Sequence, residues 1–90
     1  MLAAIICTDK PDHLKVRLEN REAHLAYGRD SGKLLMAGPF LTENGDMCGS
    51  LLILEVDDMA EAHAFAAEDP YALAGLFSDV RIEEWKKVIG

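Results

Sequence analysis

With 90 residues, a formal net charge of −7 and a pI near 4.7, the chain has the size of one small acidic domain. Nine Lys and Arg residues against sixteen Asp and Glu leave no basic face, which argues against nucleic acid and anionic membranes as partners. Cys7 and Cys48 lack the close spacing of a zinc or dithiol motif, so we expect no metal site and a reducing, cytoplasmic setting.

Apolar runs, turns and helix signals divide the sequence into strands and helices, with no break that would mark a second domain. We therefore expect residues 1–90 to form a single domain. Strands are predicted over Leu2–Thr8, Lys33–Thr42, Ser50–Val56 and Val80–Lys87. Helices are predicted over Asp12–Ser31, Met59–Glu68 and Pro70–Leu76. An Asn-Gly turn within Glu43–Asp46 joins the two middle strands, and Asp57 or Asp58 is expected to cap the second helix.

The first helix has predicted ends and a predicted inner face. Asp12 is a candidate N-cap or first-turn acid, and Gly32 is a natural stop. Three leucines share one side of a helix at about 100° per residue, which predicts a stripe packed on the core: Leu14, Leu18 and Leu25. A polar row borders this stripe and is expected to line a cleft beside the core: Arg17, Arg21, His24 and Gly28.

The order of the elements is that of the split βαβ or ferredoxin-like fold, an α+β arrangement with one antiparallel four-stranded sheet. Pro39 cannot donate to a strand ladder, so the second strand is expected to lie at an edge or to carry a bulge there. Both faces of the sheet are apolar, as the run Leu51–Leu54 shows, because side chains alternate along a strand. Helices cover only one face, so we expect a homodimer packed through the open sheet face.

His24 is the candidate proton-transfer group, because an imidazole gains and loses a proton near neutral pH. A helix-surface histidine with no special role is the competing interpretation. Asp69 stands directly before Pro70, a pattern typical of a helix N-cap, and spacing alone favours that role. The two roles are compatible, since one carboxylate oxygen can cap the helix while the other accepts a hydrogen bond from His24 and fixes its tautomer.

Arg17 and Arg21 stand one turn apart beside His24 and form a candidate anion-binding edge. The alternative for both is ion pairing with acids on the solvated side of the helix. Ser50 can offer a hydroxyl to a substrate, but no nucleophile elbow surrounds it. Tyr71 is expected as a core or cleft-wall aromatic residue. No phosphate loop or dinucleotide fingerprint occurs, so no cofactor is predicted.

Five segments resemble, in order and with compatible gaps, the YciI-like (YCII-related) family: Arg17–Leu25, Gly32–Pro39, Gly49-Ser50, Asp69–Leu76 and Trp85–Val88. The resemblance implies a ferredoxin-like fold that dimerises as an α+β barrel. It also implies an active site centred on a histidine and an aspartate, here His24 and Asp69, with Gly38, Pro39 and Ser50 lining the same pocket. A related domain in chloroaromatic degradation is a dehydrochlorinase, which eliminates HCl from a chlorinated hydroxyquinol.

The residues and the resemblance together predict a small cofactor-independent enzyme, a lyase or isomerase. His24 would transfer a proton on a small molecule, and Asp69 would orient the imidazole. The predicted substrate-binding residues are Arg17, Arg21, Gly38, Pro39, Ser50 and Tyr71. The alternative is a non-catalytic homodimer that binds a small molecule or has a regulatory role, in which His24 and Asp69 form only a structural hydrogen bond.

Overall fold

A computed structural model describes all 90 residues of the chain, Met1 to Gly90. Its elements are β1 Leu2–Asp9, α1 Leu14–Asp30, β2 Leu34–Leu41, β3 Met47–Glu55, α2 Met59–Glu68, α3 Pro70–Leu73 and β4 Phe77–Trp85. The strands form one antiparallel sheet in the order β2-β3-β1-β4. This strand order confirms the predicted ferredoxin-like α+β fold.

β2 lies at an edge of the sheet, as Pro39 predicts. Pro39 pairs with Ser50 of β3, so a residue without an N–H group takes an outer position where its missing donor disrupts least. The β2–β3 ladder is irregular at two places. β2 carries one residue more than β3 between Leu34 and Met36, and β3 carries one more between the partners of Phe40 and Leu41, next to Pro39.

Two strands begin earlier than predicted. β3 begins at Met47 instead of Ser50, because Gly49 lets it pass close to β1: a Cβ atom at Gly49 would lie 2.4 Å from the carbonyl oxygen of Cys7. β4 spans Phe77–Trp85 instead of Val80–Lys87, because Phe77 already pairs with Asp9 at the end of β1.

α2 covers the predicted residues, and its N-cap is Asp58, whose carboxylate accepts a hydrogen bond from the Glu61 N–H at 3.0 Å. α3 is a single turn that ends at Leu73, shorter than the predicted helix to Leu76. Gly75 ends it in the left-handed region, at φ 74°, where glycine avoids the strain of a side chain. No helix of the chain combines the length and the apolar character that crossing a bilayer requires.

The start of α1 differs from the prediction. The N-cap residue is His13, and no side chain bonds to the free N–H groups there. Asp12 is in the left-handed region, at φ 59°, whereas an N-cap residue is typically extended. Asp12 is therefore neither the cap nor part of the first turn.

The inner face of α1 is polar, which corrects the predicted leucine stripe. Leu18 is 54% exposed, whereas Arg17 is 2% exposed and His24 is 8% exposed. Gly28 is buried on the same side. Three of the four residues predicted to border the core, Arg17, His24 and Gly28, thus face the sheet, whereas Arg21 is exposed. Polar side chains are tolerated there because buried acids, Asp9 and Asp69, supply their partners.

The apolar core lies mainly under α2. It contains Ala3, Ile5, Cys7, Leu52, Leu54, Val56, Ala62 and Phe65. The opposite face of the sheet has no helix over it, and its register pairs Ala4 with Ile53 and Ile6 with Leu51. Toward the β2 edge of that face, Met36 is 56% exposed and Phe40 is 43% exposed. The sheet is therefore apolar on both sides, as predicted.

Candidate active site

A cavity of about 120 Å³ lies between α1, β2, β3 and the start of α3. It contains seven of the eight predicted site residues, which are Arg17, Arg21, His24, Gly38, Pro39, Ser50 and Tyr71. The eighth, Asp69, lies behind His24. The remaining lining residues are Leu25, Ala37, Met47 and Leu52. The cavity thus joins a polar helix face to a largely apolar stretch of sheet.

His24 and Asp69 are hydrogen-bonded although 45 positions separate them in the chain. The Nδ1 atom of His24 lies 2.8 Å from Oδ1 and 3.0 Å from Oδ2 of Asp69. Both residues are buried. A carboxylate can only accept, so Nδ1 carries the proton and Nε2 keeps its lone pair in the neutral ring. Both hydrogen bonds of the His24 ring involve Nδ1, so Nε2 has no partner in the protein, and His24 lines the cavity.

Asp69 is held in place by the helix that it caps. Its Oδ1 atom accepts the Tyr71 N–H at 2.9 Å, and Pro70 takes the first position of α3. The predicted cap and the contact with His24 therefore coexist: Oδ1 serves both, and Oδ2 also lies within hydrogen-bond distance of Nδ1. Because the carboxylate is fixed by backbone, the imidazole that it orients is fixed as well.

Tyr71 supports both cavity-lining groups that α1 contributes from its inner face. Its ring stacks on the His24 imidazole, with centroids 3.9 Å apart and planes 15° from parallel. The Arg17 guanidinium carbon lies over the same ring, 4.6 Å from its centroid. Burial raises the pKa of the Tyr71 phenol, so the hydroxyl stays protonated throughout the neutral range.

Arg17 is buried and bound to Asp9, the last residue of β1. Its Nε donates to Asp9 Oδ2 at 2.7 Å, and its Nη2 donates to Asp9 Oδ1 at 2.8 Å. Nη2 also donates to the Ser50 hydroxyl oxygen at 2.9 Å. Burial alone would lower the pKa of Arg17, but the hydrogen bond and the charge of Asp9 raise it. The Arg17 charge is thus compensated within the protein and is not free to attract an anionic ligand.

Arg21, one turn further along α1, differs from Arg17 in this respect. It lines the cavity, is exposed, and forms no ion pair. Gly38 and Pro39 are exposed on the β2 side of the same opening. Gly38 alternates with Met36 and Phe40, so a Cβ atom there would lie on the open sheet face, where it would meet nothing within 4 Å. Arg21 is therefore an exposed cationic group at the cavity whose charge no acid of the protein compensates.

Cys7 lies in the core close to the site but is chemically protected. Burial is the largest effect on its thiol, and the charge of Asp69 adds to it, so the pKa rises from 9.0 to about 12. The thiol therefore stays protonated at neutral pH and is a poor nucleophile. No group of three or more His, Cys, Asp and Glu side chains is placed to hold a metal ion.

Asp9 is the site residue that the sequence analysis missed. The sequence carries a signal for it: Ala3, Ile5, Cys7 and Asp9 alternate along β1, and the first three lie in the core. Asp9 therefore occupies the next position whose side chain points to the interior. A carboxylate at such a position needs a partner of opposite charge close by. The arginines of the following helix were the available partners.

Comparisons with known proteins identify the family of the chain. The family model described as the YCII-related domain matches residues 1–86. A protein named YciI from Escherichia coli O6:H1 is 39% identical over 97 aligned residues, which cover 98% of this chain and 99% of that protein. An uncharacterized protein from Haemophilus influenzae is 36% identical over 97 aligned residues, which also cover 98% of this chain and 99% of that protein.

Solved structures extend the comparison. The 5-chloro-2-hydroxyhydroquinone dehydrochlorinase from Burkholderia phenoliruptrix AC1100, in complex with 2,5-dihydroxybenzoquinone, superposes with a TM-score of 0.87. It is 41% identical, with 96% of this chain and 94% of that one covered. An antibiotic biosynthesis monooxygenase shares the fold alone, with a TM-score of 0.62 and 18% identity over 99% of this chain and all of that one. The chain belongs to the YCII-related family.

Proposed function

We propose that the protein is a cofactor-independent enzyme in which His24 transfers a proton and Asp69 orients it. The observation that carries this proposal is the pair itself: Nδ1 bonds to a buried carboxylate, and Nε2 is left without a protein partner beside the cavity. An imidazole in this state is ready to accept a proton from a bound molecule. The carboxylate then stabilises the imidazolium that forms.

The reaction that we propose is an elimination of the dehydrochlorinase type. Nε2 of His24 takes one proton from the substrate, and the electron pair left behind forms a new double bond. Chloride leaves with the electrons of the carbon–chlorine bond, and His24 returns its proton to solvent. General base catalysis of this kind contributes about 10²–10⁴ in rate, which suits an activated substrate. The 41% identity to a dehydrochlorinase over nearly the whole chain supports this choice.

Arg21 provides the attraction for such a substrate. Hydroxylated and chlorinated rings readily lose protons, so the molecule that enters is partly anionic. The protein carries a net charge of −7, which repels anions in general. An exposed arginine without an ion-pair partner at the cavity opposes that repulsion locally. Arg17 cannot do the same, because Asp9 neutralises it.

The proposal includes a homodimer packed through the open sheet face. Supporting it are the exposed Met36 and Phe40 and the apolar pairs at the centre of that face. Apolar side chains exposed side by side on a sheet are typical of a surface that another subunit covers. Size measurement at micromolar concentration is expected to give twice the chain mass of 9.9 kDa. A monomer mass would contradict this part of the proposal.

We further propose that residues 1–90 act as a single domain in the cytoplasm. The family match over residues 1–86 supports one domain. The two cysteines are both free, which is typical of a reducing compartment.

The test uses chloride release from 5-chloro-2-hydroxyhydroquinone. We expect turnover by the wild-type protein and a loss of about 10²-fold or more in His24→Ala and Asp69→Asn, as removal of general base catalysis predicts. His63→Ala is the matched control, because His63 is exposed on α2 and lines no part of the cavity. Wild-type protein that binds 2,5-dihydroxybenzoquinone without any chloride release would favour the binding alternative over an enzyme.

A further inference from the structure

A second hydrogen-bonded chain reaches the cavity from the sheet side. It runs from Asp9 through Arg17 to the Ser50 hydroxyl, with contacts of 2.7 to 2.9 Å. We propose that Ser50 donates a hydrogen bond to the substrate oxygen on which negative charge develops, and that Arg17 and Asp9 position Ser50 for this role. This inference rests on the proposed function, since it names the group that works opposite His24.

The direction of each hydrogen bond in this chain is fixed by chemistry. A guanidinium group has only donors, and an ionised carboxylate has only acceptors. Arg17 Nη2 therefore donates to Ser50, and the Ser50 oxygen accepts. The Ser50 hydroxyl hydrogen is then available to another acceptor, because the contact with Arg17 is the one hydrogen bond that the Ser50 side chain forms in the protein. Ser50 is buried yet lines the cavity, so a bound molecule is the acceptor that remains.

Arg17 is held too firmly to release Ser50. The Arg17 guanidinium and the Asp9 carboxylate form two parallel hydrogen bonds. This bidentate arrangement fixes the orientation of the guanidinium group. The ring of Tyr71 lies under the guanidinium and supports it from another side. The hydrogen bond that Nη2 donates to the Ser50 oxygen polarises the hydroxyl as a donor. Arg17 and Asp9 thus act through Ser50 and need not touch the substrate.

The two chains give the cavity opposite polarities. On the helix side, Nε2 of His24 is an acceptor with the Asp69 carboxylate behind it. On the sheet side, the Ser50 hydroxyl is a donor with the Arg17 guanidinium behind it. When the first removes a proton, negative charge moves to a conjugated oxygen, which the second can stabilise without rearrangement. Tyr71 contacts both His24 and Arg17, so it fixes the distance between the chains.

This arrangement defines a substrate class. The molecule carries a removable proton conjugated with a carbonyl or phenolic oxygen, as in enols, hydroxyquinols and hydroxyquinones. It is small and planar enough for a cavity of about 120 Å³ walled by Leu25, Leu52 and the exposed stretch of β2. Substrates without such an oxygen gain nothing from Ser50.

The test compares Ser50→Ala, Ser50→Thr and Arg17→Lys with wild type, using 5-chloro-2-hydroxyhydroquinone for turnover and 2,5-dihydroxybenzoquinone for binding. Removing one donor to a developing oxyanion is expected to lower kcat by about 10²–10³-fold in Ser50→Ala. Binding of the quinone is expected to weaken by about 10-fold or more, since a hydrogen bond to a charged group is lost. Ser50→Thr keeps the hydroxyl and is expected to retain most of both. Ser78→Ala, on exposed β4, is the matched serine control.

Arg17→Lys tests the positioning role. Lysine keeps the positive charge beside Asp9. It cannot form two parallel hydrogen bonds with the Asp9 carboxylate and also donate to Ser50. We expect a fall in kcat with little change in KM, and no further fall when Arg17→Lys is added to Ser50→Ala. Additive effects of the two substitutions would overturn the positioning role.

The outcomes separate this inference from the proposed function. Loss of turnover in His24→Ala with full kcat in Ser50→Ala would overturn the inference and leave the proposed function standing. Absence of turnover in wild type, with quinone binding weakened in Ser50→Ala, would overturn the proposed enzymatic function but support Ser50 as a hydrogen-bond donor to the bound molecule. Wild-type protein that neither turns over the chlorinated compound nor binds the quinone would overturn both.

Discussion

α1 and α2 lie on the same face of the sheet, yet they bury opposite kinds of side chain. α2 packs Ala62 and Phe65 into the apolar core, whereas α1 faces the sheet with Arg17 and His24. The two inward groups of α1, Arg17 and His24, each meet the carboxylate of an aspartate, so the interior under α1 contains matched polar pairs. Burial of charge is expensive unless it is paired, and a fold gains little stability from it over apolar packing. The α2 half therefore serves stability, and the α1 half serves the cavity.

The largest expected effect comes from breaking the Arg17–Asp9 pair. Arg17→Met leaves a buried carboxylate without its partner, which is expected to lower the free energy of unfolding by about 3–5 kcal/mol. Urea unfolding measures this. Arg21→Met is the matched control, because Arg21 is exposed and unpaired, and surface changes stay within about 0.5 kcal/mol. Equal losses in the two variants would mean that the Arg17–Asp9 pair contributes no more to stability than an exposed side chain of the same helix.

The same pair offers a way to reverse the loss. Asp9→Leu combined with Arg17→Met removes both charges, and such replacements by apolar residues are often neutral or stabilising. We expect the double variant to regain most of the stability that Arg17→Met loses, and to lose turnover because Ser50 is no longer positioned. Recovery of stability together with full activity would contradict a functional reason for the buried pair.

A second expected effect concerns Cys7, which belongs to the apolar core but lies near Asp69. Its pKa is raised from 9.0 to about 12, mainly by burial. Between these values the unfolded chain releases the thiol proton and the folded chain keeps it, so stability falls as pH rises, with a slope approaching one proton. Cys7→Ala is expected to flatten this slope.

Unfolding midpoints in urea measured from pH 8 to pH 11 give the comparison. Slopes are compared and not absolute stabilities, because Cys7→Ala also removes buried volume. Tyr71 contributes in the same direction at higher pH, since burial raises its pKa as well, and this part persists in the variant. An identical slope in both proteins would mean that the thiol is solvated in the folded state.

A smaller effect is expected from the apolar half. Phe65→Leu keeps an apolar side chain but loses the tilted contact with Tyr27, whose ring centroid lies 4.7 Å away. Such a swap is expected to cost about 1–1.5 kcal/mol. Binding of 2,5-dihydroxybenzoquinone should be unchanged, because Phe65 does not line the cavity. A tenfold weaker binding would show that the two halves are coupled.

The contrast between the helices also explains what the sequence could predict. α2 follows ordinary rules, with an Asp58 cap and apolar positions inward, and its limits were predicted correctly. α1 was predicted with an apolar inner face because periodicity assumes an apolar interior. Its true inner face depends on Asp9 and Asp69, which lie outside the helix in sequence. Ends of strands were missed for a similar reason, since the β3 limit depends on how closely Gly49 approaches Cys7.

The smallest expected effect is at the rim of α2, where charges are exposed. Glu61 lies 3.0 Å from Lys33 Nζ and accepts the Asp57 N–H at 2.9 Å. The hydrogen bond from Lys33, followed by that from Asp57, lowers the pKa of Glu61. The folded chain thus keeps the carboxylate ionised to lower pH than the unfolded chain does. Its contribution is present at neutral pH and disappears as the pH falls through the lowered pKa.

Glu61→Gln is expected to remove this contribution to stability. The thermal midpoint of the variant should lie slightly below that of wild type at neutral pH, and the difference should shrink at low pH and in high salt. Glu84→Gln, on exposed β4 and without an ion pair, is the matched control for the loss of one carboxylate charge. The pairs on α1 should behave differently, because burial protects the Arg17–Asp9 contact from salt. An equal salt dependence of the Glu61→Gln and Arg17→Met effects would mean that water reaches both pairs, and the polar interior under α1 would then be an extension of the surface.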